Sequence, residues 1–202
     1  MIFNSTDAVV TYLTDTATSG RRILGIAGEP GAGKSTIAAT LAAQLGASLL
    51  PMDGYHLPQA ELRALGRRER MGAPDTFDVH GFITTLRELR AGGTVHAPSF
   101  DREVEEAVAD SIVIQPEVAT VIVEGNYLLL DSGGWGDVAP LLDVTFFVSV
   151  SHGIRLARLI ARHERFGKTP EQARAWSLGP DEANAELIRA TAPRADHVIR
   201  LD

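Results

Sequence analysis

The 202-residue sequence contains no cysteine, which excludes disulfide bonds, thiolate metal sites and cysteine nucleophiles. Aromatic residues make up only 6%, and no apolar run approaches the roughly 18 residues of a membrane-spanning helix. The N-terminal segment lacks the basic and apolar regions of a secretory signal, so we expect a cytoplasmic protein without a membrane partner. Basic residues are outnumbered, 19 Lys and Arg against 26 Asp and Glu, which argues against a general nucleic-acid partner.

Short apolar runs alternate with segments of helical spacing along most of the chain. The runs predict strands at residues 23–27, 47–53, 119–125, 141–150 and 195–201. The intervening segments predict helices at residues 7–17, 35–46, 82–92, 152–166 and 180–192. This alternation is typical of a mostly parallel α/β sheet with helices on both faces, and the length favours one domain, 1–202. Residues 94–100 and 105–114 break the alternation and predict a small hairpin.

The segment GEPGAGKST, residues 28–36, follows the first of these strands and opens a helix. Its spacing fits the phosphate-binding pattern G-x-x-x-x-G-K-[ST], in which glycines allow successive backbone N–H groups to face an anion. We expect Lys34 to reach the β- and γ-phosphates of ATP and Ser35 to bind Mg²⁺. The alternative is an ordinary glycine-rich turn with a surface lysine. The predicted nucleotide-binding residues are Gly28, Glu29, Pro30, Gly31, Ala32, Gly33, Lys34, Ser35 and Thr36.

Asp53 lies in the segment PMDGYHLP, where a predicted strand ends. Ligands of open α/β sheets bind outside the carboxyl ends of the strands. A carboxylate at this place could accept the proton of a hydroxyl group that attacks the γ-phosphoryl group. The alternative is structural, because Asp-Gly is also a common turn pair.

Four segments, GEPGAGKST, MDGYHLP, RMGAPDTFDVHGF and VIVEGNYLLL, occur in an order that resembles the uridine kinase, pantothenate kinase and phosphoribulokinase group of P-loop kinases. The resemblance runs from about Ile23 to the C-terminus and is strongest to short bacterial proteins that are nucleoside/nucleotide kinase-like or are kinases associated with sugar transport. It implies a P-loop NTPase-type three-layer fold with a small helical lid, and phosphoryl transfer from ATP, with Mg²⁺, to a small metabolite. A homodimer is also expected from the resemblance.

The resemblance also implies roles for individual residues. Asp53 would be the general base, and Glu124 would either hold Mg²⁺ together with Ser35 or orient the acceptor. The predicted acceptor-binding residues are Tyr55, His56, Arg70, Arg102, Glu124, Asn126 and Tyr127. For these residues the alternatives are aromatic packing, solvated loop charges and an ion-pairing carboxylate.

Residues 155–180 resemble the lid of these kinases, and residues 53–115 would form the excursion that holds the acceptor. Four arginines recur at three- and four-residue spacings in the predicted helix at 152–166, ahead of a possible hinge at Gly167. Arg158 and Arg162 are the predicted catalytic pair, because lid arginines can neutralise the charge of the transferring phosphoryl group. The alternative is a solvated helix face. Residues 190–197 would line the adenine pocket or form a plain loop.

No branch of the group matches cleanly, so the acceptor stays open between a sugar, a nucleoside and a pantothenate-like alcohol. A second class of function also stands: a nucleotide-binding regulator or energy-coupling NTPase that has no small-molecule acceptor.

Overall fold

Six parallel strands form the central sheet in the computed structural model, which describes residues 1–17 and 19–201. They are paired in the order β1-β8-β7-β2-β6-β3. Their bounds are β1 (Ile2–Phe3), β2 (Arg22–Gly28), β3 (Ser48–Pro51), β6 (Thr120–Gly125), β7 (Val144–Ser149) and β8 (His197–Arg200). The predicted parallel α/β fold is therefore confirmed.

Alternate residues of the central strands face two separate apolar cores. In β2, Ile23 and Ala27 belong to one core, whereas Leu24 and Ile26 belong to the other. All four are almost completely buried, as expected for a parallel strand covered on both faces. Because all six strands are paired in parallel, their C-terminal ends lie at the same edge of the sheet.

Seven helices of the described chain surround the sheet. They are α1 (Thr6–Asp15), α2 (Lys34–Leu45), α3 (Gln59–Ala64), α4 (Val79–Ala91), α5 (His152–Arg165), α6 (Pro170–Leu178) and α7 (Pro180–Arg189). Helices α1 and α2 cover one face through Val9, Leu13, Ile37 and Leu41, and α4 covers the other through Phe82 and Leu86. In the part of the chain that the structure describes, no helix combines the length and apolar character needed to cross a bilayer.

The predicted hairpin is present as β4 (Val95–Asp101) and β5 (Glu106–Ile114), which pair in antiparallel fashion. It packs against a 3₁₀ turn, Met52–Tyr55, that follows β3. Gly54 makes this approach possible, because a Cβ atom there would lie only 2.3 Å from the carbonyl oxygen of Pro98. The hairpin is thereby placed beside the C-terminal edge of the sheet.

Four elements differ from the sequence-based expectation, and one of them is the short helix α3, which was not predicted. Strand β3 ends at Pro51 rather than at residue 53, because the chain turns into the 3₁₀ segment at Met52. Strand β1 has only two residues, too few to show a period, and forms by pairing with β8. Helix α6 was not predicted, although its capping box between Thr169 and Gln172 is a readable start signal.

Candidate active site

The glycine-rich loop between β2 and α2 has the backbone shape of an anion-binding nest. Gly31 and Gly33 have φ angles of +80° and +96°, a region that side chains with a Cβ atom rarely adopt. A Cβ atom on Gly31 would also lie 2.8 Å from the carbonyl oxygen of Arg155. Helix α2 begins directly after the loop, so its free N–H groups point toward the same space.

Lys34 is buried at the start of α2, and its Nζ atom donates to the carbonyl oxygen of Glu29 at 3.1 Å. Burial lowers the pKa of Lys34 from 10.5 to about 8, against the opposing charges of Glu124 and Asp53. A buried ammonium that is held only by a carbonyl group is a strong candidate for an anion ligand.

Ser35 and Glu124 meet beside this lysine. The hydroxyl of Ser35 donates to Oε1 of Glu124 at 3.1 Å, and Glu124 is buried at the end of β6. Burial raises the pKa of Glu124, and the nearby charge of Asp53 raises it further. A hydroxyl and a carboxylate are oxygen donors that fit Mg²⁺. Residues 1–17 and 19–201 hold no cluster of three or more His, Asp or Glu side chains that could bind a metal ion, so water and phosphate oxygens would supply the other ligands of Mg²⁺.

Asp53 lies in the 3₁₀ turn after β3, and its Oδ2 atom accepts a hydrogen bond from Arg102 at 2.5 Å. Burial by itself would raise the pKa of Asp53, but the positive charges of Arg102, His56 and Lys34 outweigh it and hold the pKa below its usual value. The carboxylate is therefore ionised at neutral pH and able to accept a proton.

The ring of His56 lies between two phenylalanines, with centroid distances of 4.0 Å to Phe77 and 4.6 Å to Phe100. Its Nδ1 atom lies 2.8 Å from the carbonyl oxygen of Asp53. This contact joins the aromatic stack to the turn that carries the acidic residue.

These groups border one cleft of about 840 Å³ at the carboxyl edge of the sheet. Of the residues that the sequence singled out, the cleft lining includes Pro30, Lys34, Ser35, Asp53, His56, Arg102, Glu124, Asn126 and Arg162. The structure thus brings together residues from the loop, the turn after β3, the hairpin, β6 and α5.

Other predicted site residues lie outside the lining of this cleft. The hydroxyl of Tyr55 donates to Thr85 at 2.7 Å in the core, and the hydroxyl of Tyr127 donates to the carbonyl oxygen of Gly72. Arg70 is paired with Asp75 at 2.6 Å, a neighbour in its own loop. These three contacts are the packing and loop-charge alternatives that the sequence left open.

Arg158 also lies outside the lining, unlike Arg162. Its guanidinium group donates to the backbone of the glycine-rich loop at Ala32, at 3.4 Å. The remaining predicted nucleotide-binding residues lie outside the cleft lining, at the end of β2, in the loop and in the first turn of α2: Gly28, Glu29, Gly31, Ala32, Gly33 and Thr36. Residues 190–197 do not contribute to the cleft either, and form a 3₁₀ turn that leads into β8.

Sequence reasoning missed a second set of cleft residues. Its polar members are Gln59, Arg68, Glu69, Glu103, Glu105, His163, Lys168, Asp181 and Asn184, and Trp176 adds an aromatic wall. They come from loops and helix faces without a recognisable motif, so only the folded chain identifies them.

Comparisons with known proteins identify a matching family and several similar proteins. The profile of the phosphoribulokinase/uridine kinase family matches residues 23–200. The ATP-dependent kinase-like protein notR' of Aspergillus versicolor is 41% identical over 148 residues, 68% of this chain and 86% of that protein. A protein of Schizosaccharomyces pombe named putative uridine kinase is 36% identical over 195 residues, 89% of this chain and 83% of its own.

The fold is likewise similar to a solved structure. The chain superimposes on a putative fructose transport system kinase from Silicibacter sp. TM1040 with a TM-score of 0.87. The two sequences are 36% identical, and the match covers 96% of this chain and 98% of the other.

Proposed function

The chain belongs to the phosphoribulokinase/uridine kinase family of ATP-dependent kinases, and we propose that it phosphorylates a hydroxyl group of an uncharged, sugar-like metabolite with Asp53 as the general base. The observation that carries this proposal is the position of Asp53. An ionised carboxylate shares one cleft with a buried lysine at a phosphate-binding loop.

In the proposed reaction, an oxygen of the acceptor attacks the γ-phosphorus of ATP, and the bond to the β-γ bridging oxygen breaks. Asp53 takes the proton of the attacking hydroxyl, and ADP leaves. Lys34 and the backbone of the loop bind the phosphates, while Arg162 from α5 offsets the charge of the transferring group. Ser35 and Glu124 would hold Mg²⁺, which supplies further charge neutralisation when bound.

The charges of the acceptor side favour an uncharged acceptor. Two arginines of the cleft, Arg68 before α4 and Arg102 in the hairpin, are already ion-paired, with Glu105 and Asp53 respectively. Two more carboxylates, Glu69 and Glu103, also line the cleft. A phosphorylated sugar or a carboxylate such as pantothenate could use either arginine only by breaking its ion pair, at an unfavourable Coulomb cost.

Paired charges and amides are instead well suited to neutral hydroxyl groups. Arg68 lies between Gln59 and Glu105 and offers several N–H donors beside carboxylate acceptors. The likeness to a putative fructose transport system kinase supports a sugar in particular. Nucleosides are the second uncharged group to consider, because a relative carries the name uridine kinase.

The experiment is acceptor-dependent release of ADP with free sugars, nucleosides, pantothenate and sugar phosphates, followed by Asp53→Asn with the best acceptor. We expect an uncharged sugar to be preferred and Asp53→Asn to lose about 10²- to 10⁴-fold in kcat, because positioned proton transfer contributes that much. ATP affinity should hardly change.

A matched control is Asp131→Asn, which also removes an aspartate ion-paired with an arginine, Arg194, but outside the cleft. It should keep wild-type turnover. Full transfer by Asp53→Asn would place the base elsewhere. ATP binding without release of ADP for any acceptor would favour the regulator or energy-coupling alternative over a metabolite kinase.

A further inference from the structure

The phosphate-binding loop contains an acidic residue, Glu29, that the proposed reaction does not use. A carboxylate in such a loop opposes the binding of a triphosphate unless other groups neutralise it. The side chain of Glu29 is only 12% exposed, so water does little to screen its charge.

Two arginines from different helices neutralise this carboxylate. The Nε atom of Arg155, in α5, lies 3.1 Å from Oε2 of Glu29. Arg189, at the end of α7, donates to both oxygens of Glu29, at 3.2 Å and 2.8 Å. Glu182 binds both arginines from the other side and completes the cluster.

The same residue holds the shape of the loop through its backbone. The carbonyl oxygen of Glu29 accepts hydrogen bonds from the amide of Ala32 and from Nζ of Lys34, both at 3.1 Å. Any displacement of Glu29 would therefore move the lysine and open the turn that forms the nest.

We propose that Arg155 and Arg189 are positioning residues that clamp Glu29, so that the loop is both pre-shaped and electrically neutral before the nucleotide binds. This inference rests on the proposed function only in requiring that the loop binds ATP. The clamp gives a role to Arg155, an arginine of α5 that is only 1% exposed. Its charge is paired with Glu29 and Glu182, although its Nε atom makes no hydrogen bond of good geometry.

The clamp also orients α5 toward the cleft. Arg155 and Arg162 are seven residues apart, about two helical turns, so they lie on nearly the same side of the helix. Fixing Arg155 against the loop therefore directs Arg162 to the cleft, where it lines the wall.

The test is a direct binding titration of the Arg189→Met variant with MgATP, ADP and adenosine. The side chain of Arg189 is half-exposed, so we expect the fold to tolerate this substitution. We expect MgATP to bind about tenfold more weakly, because Glu29 then faces the phosphates with less compensation. Adenosine, which has no phosphate, should bind almost as before. Arg194→Met is the matched control: Arg194 is similarly exposed and ion-paired with Asp131, and its replacement should leave all three affinities unchanged.

The second arm removes the charge of Glu29 itself. In a Glu29→Gln background, Arg189→Met should weaken MgATP binding by much less than tenfold, because the phosphate-binding loop then carries no carboxylate that Arg189 must compensate. An unchanged affinity in Arg189→Met, or the same loss in both backgrounds, would overturn the clamp. The titration needs no acceptor, so failure to find one would contradict the proposed function and leave the clamp standing.

Discussion

The nucleotide side and the acceptor side of the cleft are built in opposite ways. The nucleotide side comes from one continuous segment, residues 28–36, and binds through backbone N–H groups and one buried lysine. The acceptor side is assembled from the turn after β3, the loop before α4, and the hairpin, and its arginines are already paired with carboxylates. In the proposed function, the first side is preformed for a triphosphate, whereas the second must exchange internal partners for those of an acceptor.

Loss of Lys34 should break the nucleotide side and give the largest effect. In Lys34→Ala we expect a fall in kcat of about 10²- to 10³-fold, because one preorganised cation at the transferring phosphate is removed. MgATP should also bind more weakly, while circular dichroism and the melting temperature should show an intact fold. Wild-type turnover in this variant would contradict the phosphate-loop interpretation.

Replacing each of two arginines of α5 tests which of them acts on the nucleotide. Arg162 lines the cleft and, within the described chain, has no carboxylate within ion-pairing distance, whereas Arg158 contacts the loop backbone at Ala32. Arg162→Ala should lower kcat by about 10²-fold, since its charge would act on the transferring group. Arg158→Ala should change kcat by no more than about threefold. Any larger effect of this variant should be on the KM for ATP. Equal losses of kcat would show that both arginines act on the transition state, as the sequence predicts.

The same contrast explains what the sequence could predict. The loop and Asp53 were recognisable because each follows a predicted strand, and parallel strands bring their carboxyl ends to one edge. Glu124, at the end of β6, was recognisable from the resemblance of its segment to the kinase group. His163, Asp181 and Asn184 reach the cleft only through the packing of α5 and α7, which leaves no local pattern. Tyr55 and Tyr127 show the reverse: their motif is recognisable, but the fold turns their hydroxyl groups to Thr85 and Gly72.

The last effect we expect appears only above neutral pH and is confined to the nucleotide side. Burial lowers the pKa of Lys34 to about 8, so the charged form that binds phosphate is lost from the free protein as the pH rises above 8. MgATP affinity should therefore be nearly constant below about pH 7.5 and fall at higher pH, approaching tenfold per pH unit, because binding must then take up a proton. The pKa of Asp53 is held below its usual value, so Asp53 stays ionised across this range and the KM for the acceptor should not follow the same slope.

Binding titrations from pH 7 to 9.5 measure the MgATP affinity, and steady-state kinetics measure the KM for the acceptor. In Lys34→Ala the slope should disappear along with the lysine. A flat profile for the wild type would mean that Lys34 keeps its proton when ATP is absent, and the two sides of the cleft would then differ in construction but not in their response to pH.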